Sequence, residues 1–153
     1  MSESAPAAPI GQSSGEIQVT TNGPGLTDIT APVEHWLKQI GATEGILTLF
    51  VRHTSASLTI QENADPDVRD DLMAALGRLA PEDAGWRHTT EGPDDMPAHV
   101  KSMLTSVSIA VPVLDRTMRL GTWQGVYVIE HRTAPHQRHV ALHFLGSFRR
   151  GQS

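Results

Sequence analysis

A chain of 153 residues with 39% hydrophobic content can bury a core of its own, and a formal charge of −5 lacks the basic footprint that nucleic-acid binding requires. The absence of cysteine excludes disulfides and thiolate metal sites, so any metal has to be held by histidine, carboxylate or amide groups. There is no basic leader with an apolar run behind it and no stretch of about 18 apolar residues; the expectation is a cytoplasmic protein without membrane or nucleic-acid partners.

The opening MSESAPAAPIGQSSG is small, polar and proline-containing, too poor in apolar surface to offset its ordering entropy. Residues 1–14 are expected to form a disordered tail, with a single domain over 15–150. EIQVT, from Glu16, alternates as a half-buried strand does, and NGPG is a turn signal. In TDITAPVEHWLKQIG the residues Ile29, Val33, Trp36, Leu37 and Ile40 recur at helical spacing, with Thr27 or Asp28 as cap and Gly41 as stop. ILTLFV, from Ile46, predicts a strand covered on both faces, and SLTIQ begins another. Asp65 and Pro66 suit the start of the helix VRDDLMAALGRL, with Val68, Leu72, Leu76 and Leu79 as its core stripe. A polar loop and a short helix near Pro97 follow, then strands in VSIAVPV, TMRLGTW, GVYVIEH and RHVALHFL. Helices early and strands late predict an α+β fold, with a mostly antiparallel sheet or sandwich packed against two or three helices.

Several polar residues interrupt these patterns. Alternation puts His53 at the end of the row Leu47, Leu49, Val51, and Glu62 at the end of the row Leu58, Ile60. A carboxylate ending a core-facing row calls for a cation, since uncompensated burial of charge costs several kcal/mol. Glu130 follows Val126 and Val128, and Arg138 precedes Val140, Leu142 and Phe144, so the two are expected to pair across a terminal hairpin. That pair is either an internal salt bridge or a ligand-binding arginine oriented by a glutamate. His99, early in the short helix, is expected to stay neutral beside the positive end of the helix dipole, and neutral imidazole is what a metal requires. Asp71 borders the apolar stripe of its helix, and HTSAS offers hydroxyls and amides of the kind that cradle phosphate. GTWQG reads as a strand connection, with Trp123 in the core or in a pocket wall.

Taken together, HTSASLTIQENADPDVRDDL, WRH, AHVKSML, LGTWQGVYVIEHR and Arg138 with the last strand resemble the YjbQ-type family, labelled secondary thiamine-phosphate synthase enzymes. The likeness covers nearly everything after the tail and departs at Met96, where the family commonly has asparagine. It implies an α+β fold assembled as a homotrimer. It also implies a cluster of His53, His88 and His99 for a divalent metal, zinc or magnesium, or for an anion. Thr54, Ser55, Asn63, Glu130 and Arg138 would bind substrate, and Glu62 or Asp71 would handle a proton. The implied reaction joins a pyrimidine diphosphate to a thiazole phosphate, which needs charge stabilisation on a departing diphosphate. Two alternatives stay open: a metal-dependent hydrolase of small phosphorylated substrates, and a noncatalytic trimer that binds a metal or metabolite. Histidines that only cap strands and bridge subunits are the plain structural account of the same residues.

Overall fold

The computed structural model describes residues 8–150. Their strands are β1 (Gly11–Thr21), β2 (Gly25–Asp28), β3 (Ala42–Val51), β4 (Ala56–Glu62), β5 (Ser108–Leu114), β6 (Thr117–Met118), β7 (Gln124–Glu130) and β8 (His136–Phe148). The helices are α1 (Thr30–Ile40), α2 (Pro66–Leu79) and α3 (Asp95–Leu104). The strands form a five-stranded sheet, β1-β8-β3-β5-β6, and a three-stranded sheet, β2-β7-β4, with antiparallel ladders throughout. The fold is therefore α+β, as expected. No helix among the described residues is long and apolar enough to cross a membrane.

One core serves both sheets. Leu47, Leu49 and Val51 of β3, Val140, Leu142 and Phe144 of β8, Leu58 of β4, and Val126 and Val128 of β7 are all buried in it, with Val33 and Leu37 of α1. Period-two alternation gives each strand its inward row, and the helical period gives α1 its stripe. Asp28 accepts a hydrogen bond from the Thr30 N–H at 2.8 Å, and Gly41 ends α1 at φ 73°, a left-handed conformation that glycine adopts without steric cost.

Four expectations are corrected. β1 starts at Gly11, five residues before Glu16, so residues 11–14 of the expected tail are strand; residues 1–7 lie outside the described part. The long strand β8 supplies backbone partners for that polar segment, from Gly11 opposite Gly146 to Ser14 opposite His143, and ladder bonds do not depend on apolar side chains. Gly15 lets the Trp36 indole lie against the strand, because a Cβ there would come within 2.3 Å of the ring nitrogen.

The stripe of α2 is the second correction. The helix is capped as predicted, with Asp65 accepting from the Asp67 N–H at 2.9 Å and Pro66 in the first turn. None of its residues is fully buried, however, and Leu79 is 67% exposed. Leu72 and Leu76 instead line a crevice against Leu26, Thr59 and Ile129 of the three-stranded sheet.

In TMRLGTW only Thr117 and Met118 form strand, and Trp123 is 65% exposed, outside the core. Finally, β7 and β8 do not form a hairpin: β7 belongs to the three-stranded sheet and β8 to the five-stranded one. Glu130 and Arg138 both sit on inward rows of sheets that face each other, so their side chains meet across the sandwich.

Candidate metal centre

The first turn of α3 carries Asp95, and His99 lies one turn further along, so both side chains share a face of the helix. The loop before α3 folds back, with the Trp86 indole N–H donating to the Pro81 carbonyl at 2.9 Å, and it brings His88 to the same place. His88 Nε2 stands 2.6 Å and His99 Nε2 3.2 Å from the same Asp95 oxygen, Oδ2. The two rings are tilted, with centroids 5.6 Å apart. Among the described residues, His88, Asp95 and His99 form the group able to offer three ligand atoms to one ion, all within 4.8 Å of one another.

The other oxygen of Asp95 is occupied. Arg132, in the loop after β7, donates from Nη1 to Asp95 Oδ1 at 2.6 Å, from Nε to Asp94 Oδ2 at 2.9 Å and from Nη2 to the Glu91 carbonyl at 2.8 Å. Thr133 adds its backbone N–H and its hydroxyl to Asp94 Oδ2, at 2.9 and 3.1 Å. The Arg132 N–H in turn donates to Glu130 Oε2 at 3.1 Å, which ties this loop to the inter-sheet ion pair.

These contacts set the ionisation of the acids. Burial by itself would raise Asp94, but the Thr133 N–H, the Arg132 guanidinium and the Thr133 hydroxyl pull it down to about 2. Burial likewise opposes charge on Asp95, and the His88 hydrogen bond, the Arg132 charge and His99 hold its carboxyl below the usual carboxylate range. One guanidinium therefore serves two carboxylates, and the pocket is one positive charge short before its histidines are counted.

The protons on His99 sharpen that deficit. Its Nδ1 lies 2.9 Å from the Thr54 carbonyl and its Nε2 lies on a carboxylate, so both ring nitrogens face pure acceptors. A neutral imidazole has one N–H and satisfies one of them; satisfying both takes an imidazolium, or a cation in place of the Nε2 proton. An Nδ1–H held by a carbonyl is also the arrangement that fixes a metal-ligating histidine through Nε2.

The expected three-histidine cluster is corrected to two histidines and an aspartate. His53 lies beyond the end of β3, where its Nε2 accepts the His139 N–H at 2.8 Å and its ring stacks on His139, with centroids 5.7 Å apart. Burial, then the nearby Arg138 and His139, lower its pKa. His53 and His99 nonetheless line one cavity of about 590 Å³, together with Thr54.

The remaining predicted residues are dispersed. Glu130 and Arg138 are fully buried and paired, Arg138 Nε donating to Glu130 Oε1 at 2.7 Å and Nη2 to Ser55 Oγ at 3.0 Å, while the Thr21 hydroxyl donates to Glu130 at 2.5 Å. This is the internal salt bridge of the two readings, and Ser55 is part of it. Glu62 ends β4, ~20 Å of strand away from Ala56 at the α3 end. Its carboxylate accepts the Asp65 N–H at 3.2 Å, so no cation is needed: the row it ends runs off the sheet into a helix start. Asn63 donates to the Gln124 carbonyl at 3.3 Å, and Asp71 is exposed on α2. The structure brings none of Glu62, Asn63 and Asp71 to the histidines. Sequence reasoning missed Asp94, Asp95 and Arg132, although Asp95 and His99 stand at the i, i+4 spacing that signals a shared helical face.

Fold and site together define a small two-sheet α+β protein with a histidine–aspartate–histidine group at the start of a helix. The chain belongs to the family described as UPF0047 protein YjbQ-like, whose model matches residues 15–147. It is 47% identical to the UPF0047 protein sll1880 of Synechocystis over 141 residues, 92% of this chain and 96% of that protein. It is 35% identical to the UPF0047 protein YugU of Bacillus subtilis, over 83% of this chain and 94% of that one. Among solved structures, an uncharacterized conserved protein of the yjbq/upf0047 family from Clostridium acetobutylicum superposes with a TM-score of 0.78 at 33% identity, covering 84% of this chain and 98% of its own. The hypothetical protein APE1520 of Aeropyrum pernix superposes with a TM-score of 0.81 at 29% identity, covering 88% and 99%.

Proposed function

We propose that this protein is a metal-dependent enzyme acting on a small phosphorylated molecule, with a divalent ion held by His88 Nε2, Asp95 Oδ2 and His99 Nε2. The observation that carries the reading is the double-acceptor environment of His99 beside a buried carboxylate that one guanidinium must share with another. Two imidazoles and one carboxylate suit zinc better than magnesium, which favours oxygen ligands and keeps several waters. Three protein ligands leave a fourth position open, and a bound ion would there polarise a phosphoryl oxygen or lower the pKa of a water. Within that scheme the protein's own groups fix the ligands: Arg132 turns Asp95, and the Thr54 carbonyl turns His99.

Both expected reactions, the condensation of a pyrimidine diphosphate with a thiazole phosphate and the hydrolysis of a phosphate ester, use such a centre. The remote placement of Glu62 and Asp71 favours one further reading, a noncatalytic module that binds the metal with a metabolite. We read the assembly as the homotrimer that the family resemblance implies, and the outer face of the five-stranded sheet, where Ile46 and Leu145 lie opposite each other at 44% and 46% exposure, offers an apolar patch for an interface.

The test is metal analysis of the purified chain, followed by turnover of the two thiamine precursors and of generic phosphate esters by the zinc-loaded protein. Stoichiometric zinc, lost on Asp95→Asn, with turnover of either substrate set supports the enzyme. Zinc without turnover, but with thermal stabilisation by a phosphorylated ligand, transfers the site to the binding module. A chain that takes up no divalent metal overturns both.

A further inference from the structure

His53 left the metal group but not the cavity, and its hydrogen bonding defines what it can do there. The His139 backbone N–H donates to His53 Nε2 at 2.8 Å, which occupies that lone pair and puts the ring proton on Nδ1. Burial and the adjacent Arg138 both disfavour a second proton, so the ring is neutral. The nitrogen left for any ligand is a donor N–H. His99 lines the same cavity of about 590 Å³, and Phe50, Val51, Met103 and Val107 add apolar lining. Arg52, also at the rim, spends its charge on Glu16 at 2.8 Å.

We infer that this cavity binds a ligand with an apolar body and an acceptor oxygen, and that His53 is the fixed neutral donor that reads that oxygen. Selection follows from the tautomer. A phosphoryl, carboxylate or carbonyl oxygen satisfies the Nδ1–H, whereas a donor head such as an amidine meets a proton already in place and leaves both groups unpaired. Apolar walls reward an aromatic or aliphatic body over a bare ion. The inference deepens the metal-enzyme reading by naming its substrate class, and rests on that reading for the His99 end of the ligand; the state of His53 is independent of it.

The experiment uses the full chain labelled with ¹⁵N-histidine, with and without zinc. Histidine NMR should show His53 as the neutral Nδ1–H form near pH 7. Titration with phenyl phosphate should move the His53 signals, and benzamidine should leave them unmoved. His53→Ala should weaken phenyl phosphate binding at least tenfold with zinc content unchanged. An Nε2–H tautomer, equal binding by benzamidine, or full phenyl phosphate affinity in His53→Ala overturns the inference. Should His53→Ala fail to fold, the wild-type tautomer and the two-probe comparison decide it. Failure to take up zinc, with the Nδ1–H form present and phenyl phosphate still moving His53, removes the metal reading and supports the His53 assignment.

Discussion

Arg132 Nη1 donates to Asp95 Oδ1 at 2.6 Å, which leaves Oδ2 of the same carboxylate facing the Nε2 atoms of His88 and His99. The contact comes from a loop about 37 residues away in sequence and orients the one buried acid of the site. A guanidinium does this better than an ammonium, because its planar fork reaches Asp94 and Asp95 together. Arg132→Lys should therefore keep the charge and the fold while weakening zinc binding about 10- to 100-fold, the range found when outer partners of metal ligands are altered. Competition with a chromogenic chelator measures it; unchanged affinity would show that Asp95 needs no such orientation.

Asp95→Asn removes a ligand oxygen and the pocket's excess negative charge in one step. Arg132 keeps Asp94, so the loss of folding stability should stay within about 1–3 kcal/mol, the scale of one buried hydrogen bond left weaker. Zinc retention should fall more than a hundredfold, past the effect of Arg132→Lys. Urea unfolding of the metal-free variant, set beside its metal content, separates the two effects. A variant that loses stability on this scale but keeps its zinc would show that Asp95 serves only Arg132.

Much of this fold was legible from periodicity alone. The rows Leu47, Leu49, Val51 and Val140, Leu142, Phe144 are core rows, although ILTLFV is covered on one face only, with Ile46 and Phe50 44% and 47% exposed on the other. α1 stops at Gly41 as expected, but its N-cap is Ile29, and Asp28 accepts the Thr30 N–H from one position outside the cap. What could not be read were consequences of how sheets face each other. Alternation correctly put Glu130 and Arg138 inward, but only the assignment of β7 and β8 to different sheets makes their pairing an inter-sheet tie. His53 shows the same limit: its place at the end of an apolar row was visible, while its acceptance of the His139 N–H depends on the register of β3 with β8. Asp95 was legible in principle from its i, i+4 relation to His99, yet nothing local reveals the guanidinium that makes it a buried, oriented acid.

The tie between Glu130 and Arg138 should be costly to break from one side. Arg138→Met leaves a carboxylate 1% exposed without its main partner, and the expected loss is about 3–5 kcal/mol. Replacing both residues with apolar ones of similar volume should recover much of that loss, since neither charge then remains buried alone. A double-mutant cycle by urea denaturation reads the difference. Additive single effects would deny that the two side chains act as a pair.

His131 predicts an acid limb in the stability profile. The ring is buried, its Nε2 is 2.8 Å from the Ser57 hydroxyl, its Nδ1 has no partner, and burial and then nearby Lys101 push its pKa from 6.5 to about 4. Below pH 6.5 the unfolded chain binds a proton that the folded chain refuses, so stability falls as pH drops towards 4 and this contribution is flat above 6.5. The full loss from this group is on the order of 3 kcal/mol. His131→Gln, which can still accept from Ser57, should flatten that part of the profile between pH 6.5 and 4 in urea titrations. An equally steep limb in the variant would assign it to other groups.

Ile46 and Leu145 test the proposed assembly. They lie opposite each other on β3 and β8, both facing outward, where the core gains nothing from them. A single Leu145→Asp change puts charge into the centre of that face and should cost the monomer little, because surface substitutions usually stay within about 0.5 kcal/mol. In a trimer closed through this face the same change puts an unpaired carboxylate into each interface, and removing charge from water without a partner costs several kcal/mol. Sedimentation should therefore show a trimer for the wild-type chain and a folded monomer for Leu145→Asp. A variant that remains trimeric would place the interface elsewhere, and a wild-type monomer would leave the apolar pair as ordinary surface.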